Sequence, residues 1–307
     1  MSLDGPITGT GISVITDRQW SLGIFFQLLD GQLDLVKHKD GVWAPGEHLA
    51  AKPVDASPFA SITYNGGKEV RVYYIDTEYV LQEYCHTDGK GWYPGEIGLL
   101  RAKVTPGSGL AAIVYGPLEL GGGEEPGDHI RVYYQEAGSH TVKELANDGH
   151  WHTGDLNITH AFGGTSLAAV TYYFDRQTQI RVYYQDQNLG LKEHGHNGSG
   201  WFEGGFNPGP AAAQTPLAAL AFGGVELQVY WRDLYGRIVF DRNTGSWGGA
   251  KAIEPIGPGY RLAALQWDNG KYLRVYYQLF DRALVEFYSD DGGHTWSQSK
   301  SHLKGST

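Results

Sequence analysis

Arg181-Val182-Tyr183-Tyr184-Gln185 decides how this chain is read, because the chain repeats it. Close copies are Arg71-Val72-Tyr73-Tyr74-Ile75, Arg131-Val132-Tyr133-Tyr134-Gln135 and Arg274-Val275-Tyr276-Tyr277-Gln278. Gly23-Ile24-Phe25-Phe26-Gln27 and Gln228-Val229-Tyr230-Trp231-Arg232 are degraded copies. The six begin at 23, 71, 131, 181, 228 and 274, a period of roughly fifty residues that marks a solenoid, a propeller or a tandem array. Their residues are aromatic or β-branched, so each copy reads as a strand.

Three further words flank each copy. Before it stands a strand of apolar and small residues, such as Leu110-Ala111-Ala112-Ile113, Leu167-Ala168-Ala169-Val170 or Leu262-Ala263-Ala264-Leu265. Small side chains suit the crowded position nearest a propeller axis. After it comes a strand centred on a glutamate, then a glycine-rich turn with a tryptophan: Trp43, Trp92, Trp151, Trp201, Trp247 or Trp296. Four short strands per unit, six times over, predict an all-β fold: a six-bladed β-propeller of four-stranded antiparallel blades. A β-solenoid is the structural competitor, but the four-word unit argues against it. Ring closure lets every blade pack on two neighbours and limits exposed strand edges. The blades are expected at roughly 8–46, 57–95, 108–154, 165–204, 215–249 and 260–298, within a single domain over 1–307. The stretch from Gly116 to His129, rich in glycine, proline and glutamate, is expected to be a lengthened loop of the third blade.

Composition narrows the function classes. The chain has 307 residues, 44 of them glycine, and 13% are aromatic, which fits many strands joined by tight turns. A net charge of −10 without a basic cluster argues against nucleic acid, whose phosphates need a lysine and arginine surface. Cys85 is the single cysteine, so no intramolecular disulfide and no cysteine-based metal cluster forms; it reads as a small buried hydrophobe. No apolar run reaches membrane-spanning length, and the first residues carry no secretory pattern. A soluble protein is expected, cytoplasmic or exported by a non-classical route to the cell surface.

The candidate chemistry lies in a fixed spacing. Arg71 to Glu83, Arg181 to Glu193 and Arg274 to Glu286 are each twelve apart, and Arg131 to Glu144 is thirteen, with one extra residue in its turn. A hairpin loop of about three residues would set the two side chains opposite each other. Taken alone, each pair reads as a cross-strand salt bridge worth at most about 1 kcal/mol. Comparison of the repeats says more. The first has Gly23 and Leu35, and the fifth Gln228 and Phe240, while turn glycines and tryptophans persist there. The pair is therefore dispensable to the blade and is kept or lost as a unit, which is how a site behaves. The tryptophans read either as buried blade anchors or as binding faces. A guanidinium fork, a carboxylate and an aromatic face together suit a sugar, whose hydroxyls bridge donor and acceptor while its C–H face lies on the ring.

The whole repeat resembles that of the fungal fucose-specific lectins related to the Aleuria aurantia lectin. The likeness covers essentially the full chain and matches several spaced positions in each unit. It implies L-fucose sites between neighbouring blades, with arginine and glutamate from one blade and tryptophan from the next, no metal or other cofactor and no catalysis. Carried over, the sites would be Arg71 and Glu83 with Trp151, Arg131 and Glu144 with Trp201, Arg181 and Glu193 with Trp247, and Arg274 and Glu286 with Trp43. The interfaces of Gly23 and Leu35 with Trp92, and of Gln228 and Phe240 with Trp296, would be weak or dead. The family often carries a second aromatic three residues after the glutamate, where this chain has Asn147, His196, Asn243 or His38. The implied partners are L-fucose and fucosylated glycans, and a homodimer, since dimers are common in that family.

The rival readings are a sialidase-like glycoside hydrolase and a protein-interaction propeller. Ser289-Asp290-Asp291-Gly292-Gly293-His294-Thr295-Trp296 fits the Asp-box of sialidases, but it occurs once and is a turn motif. A sialidase also needs arginines converging on one centre, whereas these are spread one per blade. His38, His86 and His196 share one repeat position and are expected to line loops. His150, His152 and His194 have no acidic partner spacing that marks a metal site.

Overall fold

The structure is a computed structural model that describes residues 6–16, 22–39, 42–44, 46–116, 129–254, 259–279 and 281–299. Its strands form six antiparallel sheets arranged as a six-bladed β-propeller. The first blade holds β1 (Ser13–Thr16), β2 (Leu22–Gln27), β3 (Leu33–Lys39) and β4 (Val42–Trp43), with β5 (Glu47–Leu49) also paired to β3. The second holds β6 (Ala60–Tyr64), β7 (Glu69–Ile75), β8 (Leu81–Thr87) and β9 (Gly91–Pro94). β10 (Ala111–Tyr115), β11 (His129–Gln135), β12 (Val142–Asn147) and β13 (Trp151–Ile158) build the third. The fourth has β14 (Ala168–Phe174), β15 (Gln177–Gln185), β16 (Leu191–His196) and β17 (Trp201–Glu203). β18 (Leu217–Phe222), β19 (Glu226–Arg232), β20 (Ile238–Asn243) and β21 (Lys251–Glu254) make the fifth. The sixth has β22 (Gly259–Trp267), β23 (Tyr272–Leu279), β24 (Leu284–Ser289) and β25 (Ser297–Gln298). The expected long loop of the third blade falls on 117–128, outside the described residues.

The innermost strands β1, β6, β10, β14, β18 and β22 lie against one another in order, and β22 meets β1 to close the ring. Close approach at the axis explains their small residues. Gly11 donates its N–H to the carbonyl of Ser57 at 2.9 Å, and Gly109 donates to Thr165 at 2.7 Å. A Cβ on either glycine would come within 2.5 Å of the neighbouring blade's backbone.

Alternation along the second strand then distributes the core. In β7, Val72 and Tyr74 face the blade before, while Tyr73 faces the blade after, and the pattern repeats around the ring. Six apolar clusters result, one for each interface between blades. The glutamine that ends the motif clamps consecutive units. Gln185 Nε2 donates to Ala211 O at 3.2 Å, and Gln185 Oε1 accepts from Gln214 N–H at 2.9 Å. Gln278 does the same across the junction of last and first blades, bonding Ile7 O and Gly9 N–H at 2.9 Å each. No helix among the described residues is long and apolar enough to cross a membrane.

Candidate functional site

The motif's arginine, first tyrosine and the glutamate share one face of the blade, but their register differs from the one expected. Glu83 lies opposite Tyr73, and Arg71 opposite Cys85. The same offset pairs Glu144 with Tyr133, Glu193 with Tyr183 and Glu286 with Tyr276. Arginine and glutamate are thus diagonal neighbours and not directly opposed. Arg71 and Cys85 are fourteen residues apart across a hairpin whose pairing continues to Asp76 and Val80, so a spacing of twelve falls two residues short of direct opposition. The extra turn residue expected after Arg131 is present, because Arg131 pairs with Ala146.

This diagonal sets loose ion pairs. Arg181 Nε and Arg274 Nε each stand 3.6 Å from Oε1 of Glu193 and Glu286, and Arg131 Nε stands 4.0 Å from Glu144 Oε1. Arg71 instead bonds Glu69 at 2.8 Å while lining the same cleft as Glu83. Each guanidinium is fixed from behind by its own blade's backbone. Arg181 Nη1, for example, donates to Ile180 O at 2.8 Å and His196 O at 3.3 Å. Acceptors on the same blade hold further N–H groups of the fork: Nη2 of Arg71, Arg131 and Arg181 donates to Glu69, Asp148 and Gln179, and Arg274 Nη1 donates to Asp290.

The carboxylates are recessed: Glu83, Glu144 and Glu193 are only 5–6% exposed. Tyr73 and Tyr276 donate their hydroxyls to Glu83 and Glu286 at 3.0 and 2.8 Å. The amide of Glu96 adds a bond to Glu83 at 3.2 Å. A glycine opposite makes room for each carboxylate. A Cβ on Gly95, Gly154 or Gly204 would stand 2.1, 2.0 or 1.9 Å from the carboxyl oxygen of Glu83, Glu144 or Glu193. Burial pushes the pKa of all three carboxyls up, against the opposing pull of the arginine and the tyrosine hydroxyl.

The next blade brings a tryptophan close to each of these tyrosines. Trp151 stands 6.1 Å from Tyr73, Trp201 6.2 Å from Tyr133 and Trp247 6.3 Å from Tyr183, all edge-on. Trp43 packs in the cluster that contains Tyr276. At the second-to-third-blade interface these groups line a cleft of about 880 Å³ together with Asn147 and Asp148. The shared histidine position is on strands and not in loops. His38 and His196 pair across their strands with Trp43 and Trp201, their rings 4.8 and 5.2 Å apart. His86 does the same with Trp92 at 5.1 Å. Among the described residues no cluster of three or more His, Cys, Asp or Glu side chains could hold a metal ion.

Sequence reasoning missed a ring beneath each arginine. Arg71 lies over Tyr64 at 5.4 Å, Arg131 over Tyr115 at 5.4 Å, Arg181 over Tyr172 at 5.3 Å and Arg274 over Trp267 at 4.7 Å. Tyr64, Tyr115 and Trp267 end their innermost strands and Tyr172 lies two residues before the end of its own, and such contacts favour a guanidinium by roughly 0.5–1 kcal/mol when exposed. Arg181 and Arg274 are sandwiched by second rings, Phe202 and Tyr288, each at 5.2 Å. The signal was a recurrent aromatic before each arginine, obscured because the turn between them varies in length.

The two interfaces without the motif's arginine hold a cation displaced by one strand. Lys37 lies opposite Gly23 on β3, and Arg242 opposite Gln228 on β20. The four other blades have Cys85, Ala146, Gly195 and Tyr288 at that position. Both displaced cations are already engaged. Lys37 binds Glu47 at 3.1 Å, and Glu47 also accepts from Trp92 Nε1 of the next blade at 3.1 Å. Arg242 pairs with Glu226 and donates from Nη1 to Gly292 O of the sixth blade at 3.1 Å.

The profile of the fungal fucose-specific lectins matches residues 7–305. The chain belongs to that family. This lectin is 29% identical over 284 residues to the fucose-specific lectin of Aleuria aurantia, an alignment covering 89% of this chain and 71% of that one. It is 26% identical to the fucose-specific lectin of Aspergillus fumigatus, covering 88% and 87% of the two chains. The Aleuria aurantia lectin's six-bladed β-propeller superposes with a TM-score of 0.86 at 24% identity, over 99% of this lectin and 98% of that chain. SapL1 lectin, solved with α-methyl fucoside, superposes with a TM-score of 0.79 at 28% identity, over 98% of each. The matched relatives are named as lectins, and the sialidase reading of the single Asp-box falls away. In this lectin that box is a local turn, in which Asp291 accepts from Thr295 N–H at 2.9 Å and from its hydroxyl at 2.6 Å.

Proposed function

We propose that this lectin binds L-fucose and fucosylated glycans at four interfaces between blades, without a metal ion. The sites are Arg71 and Glu83 with Trp151, Arg131 and Glu144 with Trp201, Arg181 and Glu193 with Trp247, and Arg274 and Glu286 with Trp43. One observation carries this reading. At these four interfaces an arginine of the second strand and the glutamate near it share the interface with the neighbouring blade's tryptophan, whereas at the other two the cation is displaced to the third strand and Leu35 or Phe240 stands in the glutamate's place.

The chemistry follows from the donor and acceptor inventory. Adjacent ring hydroxyls donate to the glutamate and accept from the arginine fork, while the apolar edge of the sugar lies on the indole. A sugar with the wrong hydroxyl geometry leaves a buried carboxylate partly unpaired, which costs about 1–3 kcal/mol and gives discrimination. A single monosaccharide in a shallow cleft binds weakly. Several sites on one rigid ring raise the effective concentration at a glycan-covered surface and so strengthen attachment.

Calorimetric titration with L-fucose in the presence of EDTA tests the proposal. Saturable binding at four sites per chain is expected. Six sites would overturn the assignment of two interfaces as weak or dead, and no heat with fucose or a fucosylated oligosaccharide would overturn the specificity.

A further inference from the structure

The fourth blade's first hairpin reaches further toward the site face than those of the second, fifth and sixth blades. Pairing ends at Tyr64 with Glu69 in the second blade, Phe222 with Glu226 in the fifth and Trp267 with Tyr272 in the sixth. The equivalent pair in the fourth blade is Tyr172 with Gln179, yet pairing there continues through Tyr173 with Thr178 to Phe174 with Gln177. Asp175 and Arg176 close the turn, both with positive φ (49° and 60°), the backbone of a tight two-residue hairpin. Phe174 shares a strand face with Tyr172, whose ring lies under Arg181. It stands two residues further out, about 7 Å along the strand. Its ring is 54% exposed and contributes nothing to an apolar cluster of the fold. Tyr172 and Phe174 thus extend outward from Arg181 on one face, with Phe202 level with Arg181 on its other side and Gln177 opposite Phe174.

We propose that Phe174 is the platform of a second sugar subsite, which holds the residue linked to fucose when fucose occupies the pocket of Arg181, Glu193 and Trp247. The inference rests on the fucose reading above. A pyranose presents an apolar C–H face that an exposed ring accepts, and the spacing from Tyr172 to Phe174 moves the contact outward along the glycan, away from the fucose pocket. The hairpins of the second, fifth and sixth blades end before such a position. The subsite therefore distinguishes the fourth-to-fifth-blade interface, which would select a fucosyl disaccharide over free fucose.

The test isolates that interface with Arg71→Ala, Arg131→Ala and Arg274→Ala combined, and titrates the resulting protein with L-fucose and with a fucosyl-galactose disaccharide. The disaccharide is expected to bind about 3- to 10-fold more tightly, the range of one aromatic contact. Adding Phe174→Ala removes that preference. Adding Tyr173→Ala, on the opposite face, retains it. Equal disaccharide affinity with and without Phe174→Ala, alongside normal fucose binding, overturns the subsite alone. Absence of fucose binding by the unsubstituted protein overturns the fucose reading and the subsite with it.

Discussion

The interface between the fourth and fifth blades and the one between the fifth and sixth differ mainly in which strand provides the guanidinium. At the former, Arg181 springs from the second strand and lies diagonal to the buried Glu193. At the latter, Arg242 springs from the third strand and meets the rim carboxylate of Glu226 and a backbone carbonyl of the next blade. Phe222 lies under Arg242 at 5.5 Å, much as Tyr172 lies under Arg181. Phe240 occupies the place of the glutamate. The same charge on the same blade face therefore stands either diagonal to a recessed carboxylate or, displaced by one strand, bonded across to the next blade.

The largest expected effect comes from filling the space that the open interface keeps for its carboxylate. In Gly204→Ala the new methyl would stand 1.9 Å from Glu193 Oε1, so the carboxylate must turn away from the pocket. Calorimetry should then count one fucose site fewer, with the propeller's circular dichroism unchanged. An unaltered site count would sink the assignment of Glu193.

Acidification gives a graded effect on open interfaces. The ionised carboxylate is the form that accepts sugar hydroxyls, and burial has pushed the pKa of Glu83, Glu144 and Glu193 above the usual glutamate value. These groups take up protons while exposed glutamates remain ionised. Fucose affinity should be flat near neutrality and fall by up to about tenfold per pH unit below the raised pKa. Stability has the opposite sign. The native state holds these protons more tightly than the unfolded chain does, so this contribution grows as pH falls through the folded pKa. Affinity that stays constant down to the ordinary glutamate range would contradict the role of the carboxylates.

The smallest effect belongs to the latch. Arg242→Ala should cost about 1 kcal/mol in urea unfolding, from one ion pair at a partly exposed rim and one hydrogen bond between blades. The number of fucose sites should not change. Loss of a site on this substitution would show that the fifth-to-sixth-blade interface binds sugar through its displaced cation.

Much of this was legible before any coordinates. The repeated strand fixes a four-strand unit because alternation of valine and tyrosine must bury one side chain on each neighbouring blade. The pairing of each arginine and glutamate with the next blade's tryptophan followed from the family resemblance, and the structure brings those groups together. The diagonal register was hidden, since it depends on how many turn residues take part in pairing. The rings under the arginines were hidden too. Tyr64 precedes Arg71 by seven residues and Tyr172 precedes Arg181 by nine, so no fixed spacing announces them.

Periodicity, small inner residues and the joint loss of arginine and glutamate in two repeats are properties of a single chain read against itself. They determined the blade count, the strand order and the four candidate interfaces. Tertiary structure alone decided what the other two interfaces do. Lys37 and Arg242 lie outside the repeated word, and only strand pairing shows that they face Gly23 and Gln228. Glu47, which binds Lys37, accepts from Trp92, and Arg242 donates to Gly292, contacts with neighbouring blades between residues 45 and 50 apart in the chain. A repeat announces what every unit shares, because that is what recurs; which groups remain free for a ligand depends on distances between units, and those exist only in the closed ring.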